Sequence, residues 1–194
     1  AEAGPPFREN FMARTRATAG IVRVARSVYL SAGHSNTDPG AVAHGRREAD
    51  IAVEFRNIVA FYLDRAGLDY ETDGSGTENY PLPVAARSAA RHDLAVEFHC
   101  NAGPATATGT ECLAAPAETP LAARISRAIA TGLGIRDRGA KPEGSGQHTR
   151  LAFVRAGGIV VELFFLTNRA DLQAYYDRKW LAARNVADVL VQAA

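Results

Sequence analysis

The chain has 194 residues, of which 47% are hydrophobic and 22% charged. That suits one globular domain and excludes bulk disorder. Lys and Arg number 22 against 21 Asp and Glu, and the resulting net charge of +1 excludes a strong global field for nucleic acid or an anionic membrane. No apolar run approaches the roughly 18 residues of a membrane span, and two cysteines are too few for a disulfide framework or a Cys-based zinc site.

Residues 1–26 mix Arg, Ala and Gly without a clear period and read as an N-terminal extension with no secretory apolar region. Met12, the one methionine, reads as the native start, with residues 1–11 an added remnant. The rival reading is a mature terminus left by signal cleavage. From residue 27 onward the chain reads as a single domain. Val28-Tyr29-Leu30 is a short β-prone run stopped by Gly33. Glu48 to Ala66 reads as a helix, because Ile51, Phe55, Ile58, Val59, Tyr62 and Leu63 form one apolar stripe and Gly67 ends it. Leu68 to Glu71 is a candidate strand, followed by an Asp73–Gly76 turn and a short helix over Pro83 to His92. Leu94 to Phe98 and Thr110 to Leu113 are strands. Thr119 is placed as an N-cap before Pro120, and Leu121, Ile125, Ala128 and Ile129 continue a helix that Gly132 and Gly134 stop. Arg136 to His148, rich in Gly and charge, reads as an exposed loop. Ile159 to Phe164 is nearly all apolar, as in a strand covered on both faces, and the chain from Asp171 onward is mostly helical.

This alternation predicts a three-layer αβα domain of the α/β class, with a mostly parallel sheet of about six strands. Sites in such sheets gather at the carboxyl ends of strands. His34 follows the first strand directly and His99 ends the run from Leu94. Two imidazoles so placed could start a metal site, although either alone could be a hydrogen-bonded structural histidine. A catalytic zinc needs a third protein ligand, and Glu48 fits, while the helix dipole alone would also explain a carboxylate there. Glu162 lies inside the apolar run. Such a carboxylate is costly unless it is used or paired, for instance with Arg155. Burial raises a carboxyl pKa toward what a general base needs. Cys100 and Cys112 could pair across neighbouring strands, but two half-buried thiols are the simpler reading.

The ordered pieces Ser31-Ala32-Gly33-His34, Asp38-Pro39-Gly40-Ala41, Glu48, Glu97-Phe98-His99-Cys100-Asn101-Ala102, Gly109-Thr110-Glu111, Arg138-Gly139-Ala140-Lys141 and Val161-Glu162 through Asn168 to Asp171 resemble the zinc-dependent N-acetylmuramoyl-L-alanine amidases of the amidase-3 type. The resemblance implies a peptidoglycan hydrolase that cuts the amide between N-acetylmuramic acid and L-alanine of the stem peptide. It implies one zinc ion per chain on His34, Glu48 and His99, with Glu162 as the catalytic carboxylate. Asn101 and Asn168, within the matched motifs, are expected to contact substrate. The chain departs from the family's usual residues around His34, at Ser31-Ala32 and Ser35-Asn36, which shape the loop rather than ligate.

Core elements fill the segment between His99 and Glu162, so no helix that blocks the zinc is expected. The expectation is a monomeric phage- or prophage-type endolysin, without a signal peptide in this chain, made in the host cytoplasm and released onto the cell wall at lysis. A bacterial remodelling or recycling amidase acting in the periplasm or outside the cell is the alternative. A zinc peptidase or deacylase for another amide, or a muropeptide-binding module without metal, are the readings from other classes. No nucleic-acid partner is expected, because Arg46-Arg47 and Arg136-Asp137-Arg138 are small and interrupted basic groups.

Overall fold

The computed structural model describes residues 27–145 and 150–194. The expectations for residues 1–26, and for His148 at the end of the predicted loop, lie outside the described residues. Six strands form the central sheet: β1 (Val28–Ala32), β4 (Tyr70–Thr72), β5 (Leu94–Asn101), β6 (Thr110–Ala114), β7 (Asp137–Pro142) and β8 (Ile159–Phe165). Their order across the sheet is β4-β1-β5-β8-β6-β7. The first four in that order run parallel, while β6 is antiparallel to β8 and parallel to β7. A two-residue hairpin, β2 (Val42–Ala43) with β3 (Arg46–Arg47), leads into helix α1 (Glu48–Ala66).

Period-two alternation divides the chain between two faces of very different thickness. On β5, Leu94, Val96, Phe98 and Cys100 point into the large core with α1, α3 (Thr119–Leu133) and α5 (Arg169–Ala193). The intervening Ala95 joins a small core with Tyr29, Leu113, Phe153 and Val160. Among the described residues, only α2 (Leu82–Ala89) and the one-turn α4 (Ala152–Arg155) are helices that cover that second face. Glu97, His99 and Glu162 share its parity. The thin face is thus where polar side chains can stand in an open cleft.

The stripe predicted for α1 is buried as expected, with Tyr62 half-buried, and Gly67 closes the helix in the left-handed conformation. Several boundaries move. The strand predicted over Leu68 to Glu71 is Tyr70–Thr72, and the helix predicted over Pro83 to His92 is Leu82–Ala89. Thr119 is already helical. The N-cap is Glu118, and the Thr119 hydroxyl instead donates to the Ala115 carbonyl (3.2 Å). The predicted loop from Arg136 contains strand β7. It has no apolar alternation because it is an edge strand, held by its ladder with β6 and by ion pairs from Arg138 and Lys141 to Glu111. Cys100 and Cys112 are free and buried. They sit on β5 and β6, which β8 separates, so they are not cross-strand neighbours.

Candidate active site

Three elements converge at the carboxyl end of β1 and β5. Ser31 and Ala32 end β1, and the chain turns at Gly33 to present His34, whose φ of 65° is left-handed. Glu48 opens α1, where the helix N-terminus favours a carboxylate. It is also clamped by backbone donors: Ala41 N to Oε2 (2.8 Å) and Cys100 N to Oε1 (3.0 Å). His99 stands on β5 beside a register shift against β8, the kind of irregularity that re-aims a side chain. His34 Nε2 and His99 Nδ1 each lie 3.0 Å from Glu48 Oε1. Ligand atoms of all three residues lie within 4.8 Å of one another.

The surroundings fit a divalent metal. Tetrahedral zinc ligands at 2.0–2.2 Å from the ion stand about 3.4 Å apart, which these side chains reach with small adjustments. Each imidazole has a carboxylate on its other nitrogen: Asp38 Oδ2 at His34 Nδ1 (3.1 Å) and Glu97 Oε2 at His99 Nε2 (3.2 Å). That arrangement orients metal-binding histidines. Two glycines make room. A Cβ on Gly33 would come within 2.2 Å of the His99 ring, and one on Gly40, at φ 64°, within 2.5 Å of the His34 ring and 2.6 Å of Glu48 Oε2.

Charge follows this packing. The hydrogen bond to Glu48 raises the His34 pKa above its ordinary value, against burial. Burial pulls His99 down, but its bonds to Glu48 and Glu97 outweigh this and hold it well above ordinary. Burial likewise pushes Glu48 up, and the two imidazoles override it to hold the carboxylate well below its usual range.

Glu162 completes the row. It is the register partner of His99 on one side and of Glu111 on the other, so three polar residues cross neighbouring strands at one level. Its Oε2 is buried without a hydrogen-bond partner. Burial, aided by the charges of Glu48 and Glu111 and opposed by His99 and His34, pushes its pKa up to about 7. Arg155 is exposed, and no ion pair joins it to Glu162. Glu111 is buried beneath Arg138, Lys141 (2.5 Å) and Asn101 Nδ2 (3.1 Å). A cleft of about 790 Å³ lies over these groups, with walls that include Tyr80-Pro81-Leu82 and Arg150-Leu151-Ala152.

His34, Glu48, His99 and Glu162 are brought together in this cleft, and Asn101 lines it. Asn168 stands elsewhere. It caps α5, accepting from Ala170 N (2.9 Å) and Asp171 N (3.2 Å), and its amide donates to the Ala107 carbonyl (2.9 Å). Its hydrogen-bonding capacity is thereby committed to the fold. Asp38, Glu97 and Glu111 carried no assigned role in the sequence reading. Glu97 had a usable signal, since a residue two positions before a strand histidine shares its face.

A three-layer α/β domain with two imidazoles, a carboxylate and a proton-holding acid at the strand ends is built as a hydrolase. Comparison with known proteins gives the particular kind. The family model for N-acetylmuramoyl-L-alanine amidase matches residues 28–192, and the chain belongs to that family. It is an N-acetylmuramoyl-L-alanine amidase, an enzyme of peptidoglycan hydrolysis. The crystal structure of the putative N-acetylmuramoyl-L-alanine amidase from Neisseria meningitidis superposes with a TM-score of 0.80 at 44% identity, covering 87% of this chain and 95% of that one. The uncharacterized protein YqiI of Bacillus subtilis is 31% identical over 153 residues, 75% of this chain and 73% of its own length. The amidase LytC of the same organism is 28% identical over 85% of this chain, which spans only 35% of LytC. No helix among the described residues is long and apolar enough to cross a membrane.

Proposed function

We propose that the amidase is zinc-dependent and that His34, Glu48 and His99 hold one ion per chain. The observation that carries this is the convergence of two imidazoles and one carboxylate within 4.8 Å, beside an unpartnered carboxylate oxygen. Two nitrogens and one oxygen form a donor set suited to zinc. When bound, zinc supplies an acidified water and a Lewis acid for the amide carbonyl. Glu162 takes the proton of the attacking water on its carboxylate and later donates it to the leaving amine nitrogen of L-alanine. Burial raises its pKa, which favours holding that proton between the two steps, while a cation on the neighbouring ligands would oppose the rise. Asn101, which lines the same cleft, would contact the substrate.

Elemental analysis of the purified protein should find one zinc per chain, and none after His34→Ala. Mass spectrometry of digested peptidoglycan should show free stem peptides beginning with L-alanine. New reducing sugar ends would instead mean a glycosidase.

The biological setting has two readings. Release onto the wall at lysis is the endolysin reading. Remodelling of a bacterium's own wall is the other. Chains of unseparated cells after gene deletion would support remodelling, and lysis dependent on prophage induction would support the endolysin. The monomeric state is tested by light scattering.

A further inference from the structure

A buried polar chain runs from the back of the sheet to His99. Arg56 on α1 is wholly buried, and its Nη1 donates to Asp73 Oδ1 (2.6 Å) and to the Glu78 carbonyl (2.9 Å). Asp73, also wholly buried, accepts from Ala32 N (3.0 Å) and meets the Ser31 hydroxyl (3.0 Å). The same hydroxyl lies 3.1 Å from Glu97 Oε1, and Glu97 Oε2 lies 3.2 Å from His99 Nε2. Nothing in the hydrolytic chemistry above uses Arg56, Asp73, Ser31 or Glu97.

Counting donors assigns the protons. Asp73 has Arg56 and Ala32 N without the serine. Glu97 is 4% exposed, and the side-chain contacts on its two oxygens are Ser31 and His99. A buried carboxylate oxygen without a donor is costly. Glu97 is therefore satisfied when Ser31 donates to Oε1 and His99 carries its proton on Nε2. In the metal-free chain Nδ1 can also carry a proton toward Glu48, and with a cation bound the Nε2 proton leaves the Nδ1 lone pair for the ion.

We propose that Glu97, held by the Ser31 hydroxyl whose proton the Arg56–Asp73 pair leaves free, is a positioning residue that fixes the tautomer and ring orientation of His99 for metal binding. The inference rests on the zinc reading above. Arg56 and Ala32 N satisfy Asp73, which frees the Ser31 proton for Glu97, so Glu97 cannot swing away without leaving a buried acceptor bare. Outer carboxylates of this kind change metal affinity about 10–100-fold.

The test measures zinc affinity by competition with a chromophoric chelator. The proteins are the parent chain, Glu97→Ala, Glu97→Gln and His34→Ala, each checked for folding by circular dichroism. Glu97→Ala should bind zinc about 10–100-fold more weakly than the parent. Glu97→Gln should stay within a few-fold, because its amide oxygen accepts from His99 while its N–H₂ donates to Ser31, which then donates to Asp73. Long-range ¹H–¹⁵N correlation spectra of the zinc-loaded proteins should show the His99 proton on Nε2 in the parent and in Glu97→Gln. Equal affinity of Glu97→Ala and parent, or a His99 proton on Nδ1 in the parent, overturns the proposal while leaving the zinc site standing. If the parent itself binds no zinc, or His34→Ala binds it as tightly, the zinc reading fails instead. Should Glu97→Ala not fold, Glu97→Gln and the tautomer measurement decide alone, and a 10-fold or larger loss in Glu97→Gln counts against the proposal.

Discussion

Replacing Glu162 by glutamine removes a charge that folding must bury. Burial raises the carboxyl from 4.5 to about 7, so the unfolded chain releases this proton more readily than the folded one. The sign follows from that difference. The group costs nothing below pH 4.5, the cost grows as pH rises through the interval, and above pH 7 it levels off at about 3 kcal/mol. Glutamine keeps the shape and cannot ionise. The stability of Glu162→Gln minus that of the parent should therefore grow by about 3 kcal/mol between pH 4.5 and pH 8. For a domain of this size that corresponds to about 6–12 °C in melting temperature. The comparison uses chelator-treated protein, because a cation on the neighbouring ligands would favour the ionised carboxylate. Urea denaturation at the two pH values reads the difference, and titrations common to both proteins cancel. A difference that is flat with pH, or that favours the parent at pH 8, would refute the claim that burial controls this acid. The same variant should lose about 10²–10⁴-fold in amidase activity, the usual worth of a general base.

Further outcomes follow from the packing. Gly40→Ala places a Cβ against His34 and Glu48 at a left-handed φ. It should cost at least about 1–2 kcal/mol and lower zinc occupancy, measured by denaturation and elemental analysis. The raised pKa values of His34 and His99 mean that their pairing with Glu48 stabilises the metal-free chain at low pH and is lost as pH rises through their folded values. Metal binding needs both imidazoles neutral, so chelator should lower the melting temperature more at pH 8.5 than at pH 6. Arg56→Ala strands Asp73 in the core and should destabilise the domain by about 3–5 kcal/mol in chemical denaturation. The two cysteines are buried and apart, so thiol titration should find neither under native conditions and both after denaturation.

What could be read from the sequence was what has a local period or a forbidding cost. The α1 stripe and the apolar β8 run are elements where their periods put them, and the expense of Glu162 shows as a carboxylate with one buried oxygen left without a partner among the described residues. The strand β7 was missed because its edge position asks for no apolar alternation, and what holds it comes from β6 and from Glu111 on that strand. The reversed direction of β6 has no local signature, since strand direction is set by the connection and not by composition. The capping role of Asn168 could not be read, because an asparagine in a functional motif and an asparagine capping a helix look alike until α5 begins at Arg169. The Arg56–Asp73–Ser31–Glu97 chain joins residues from four separate segments, and only the fold brings them together.

The row of His99, Glu162 and Glu111 across β5, β8 and β6 has a consequence for how this enzyme can vary. Neighbouring strands sit about 4.8 Å apart wherever a sheet forms, so the ladder acts as a ruler that sets the spacing between the His99 imidazole, the Glu162 carboxyl and Glu111 behind it. The cleft walls at Tyr80–Leu82 and Arg150–Ala152 lie outside that ladder. Substitutions or insertions there could refit the cleft to a different stem peptide, while the separation of the reacting groups would stay as the sheet dictates.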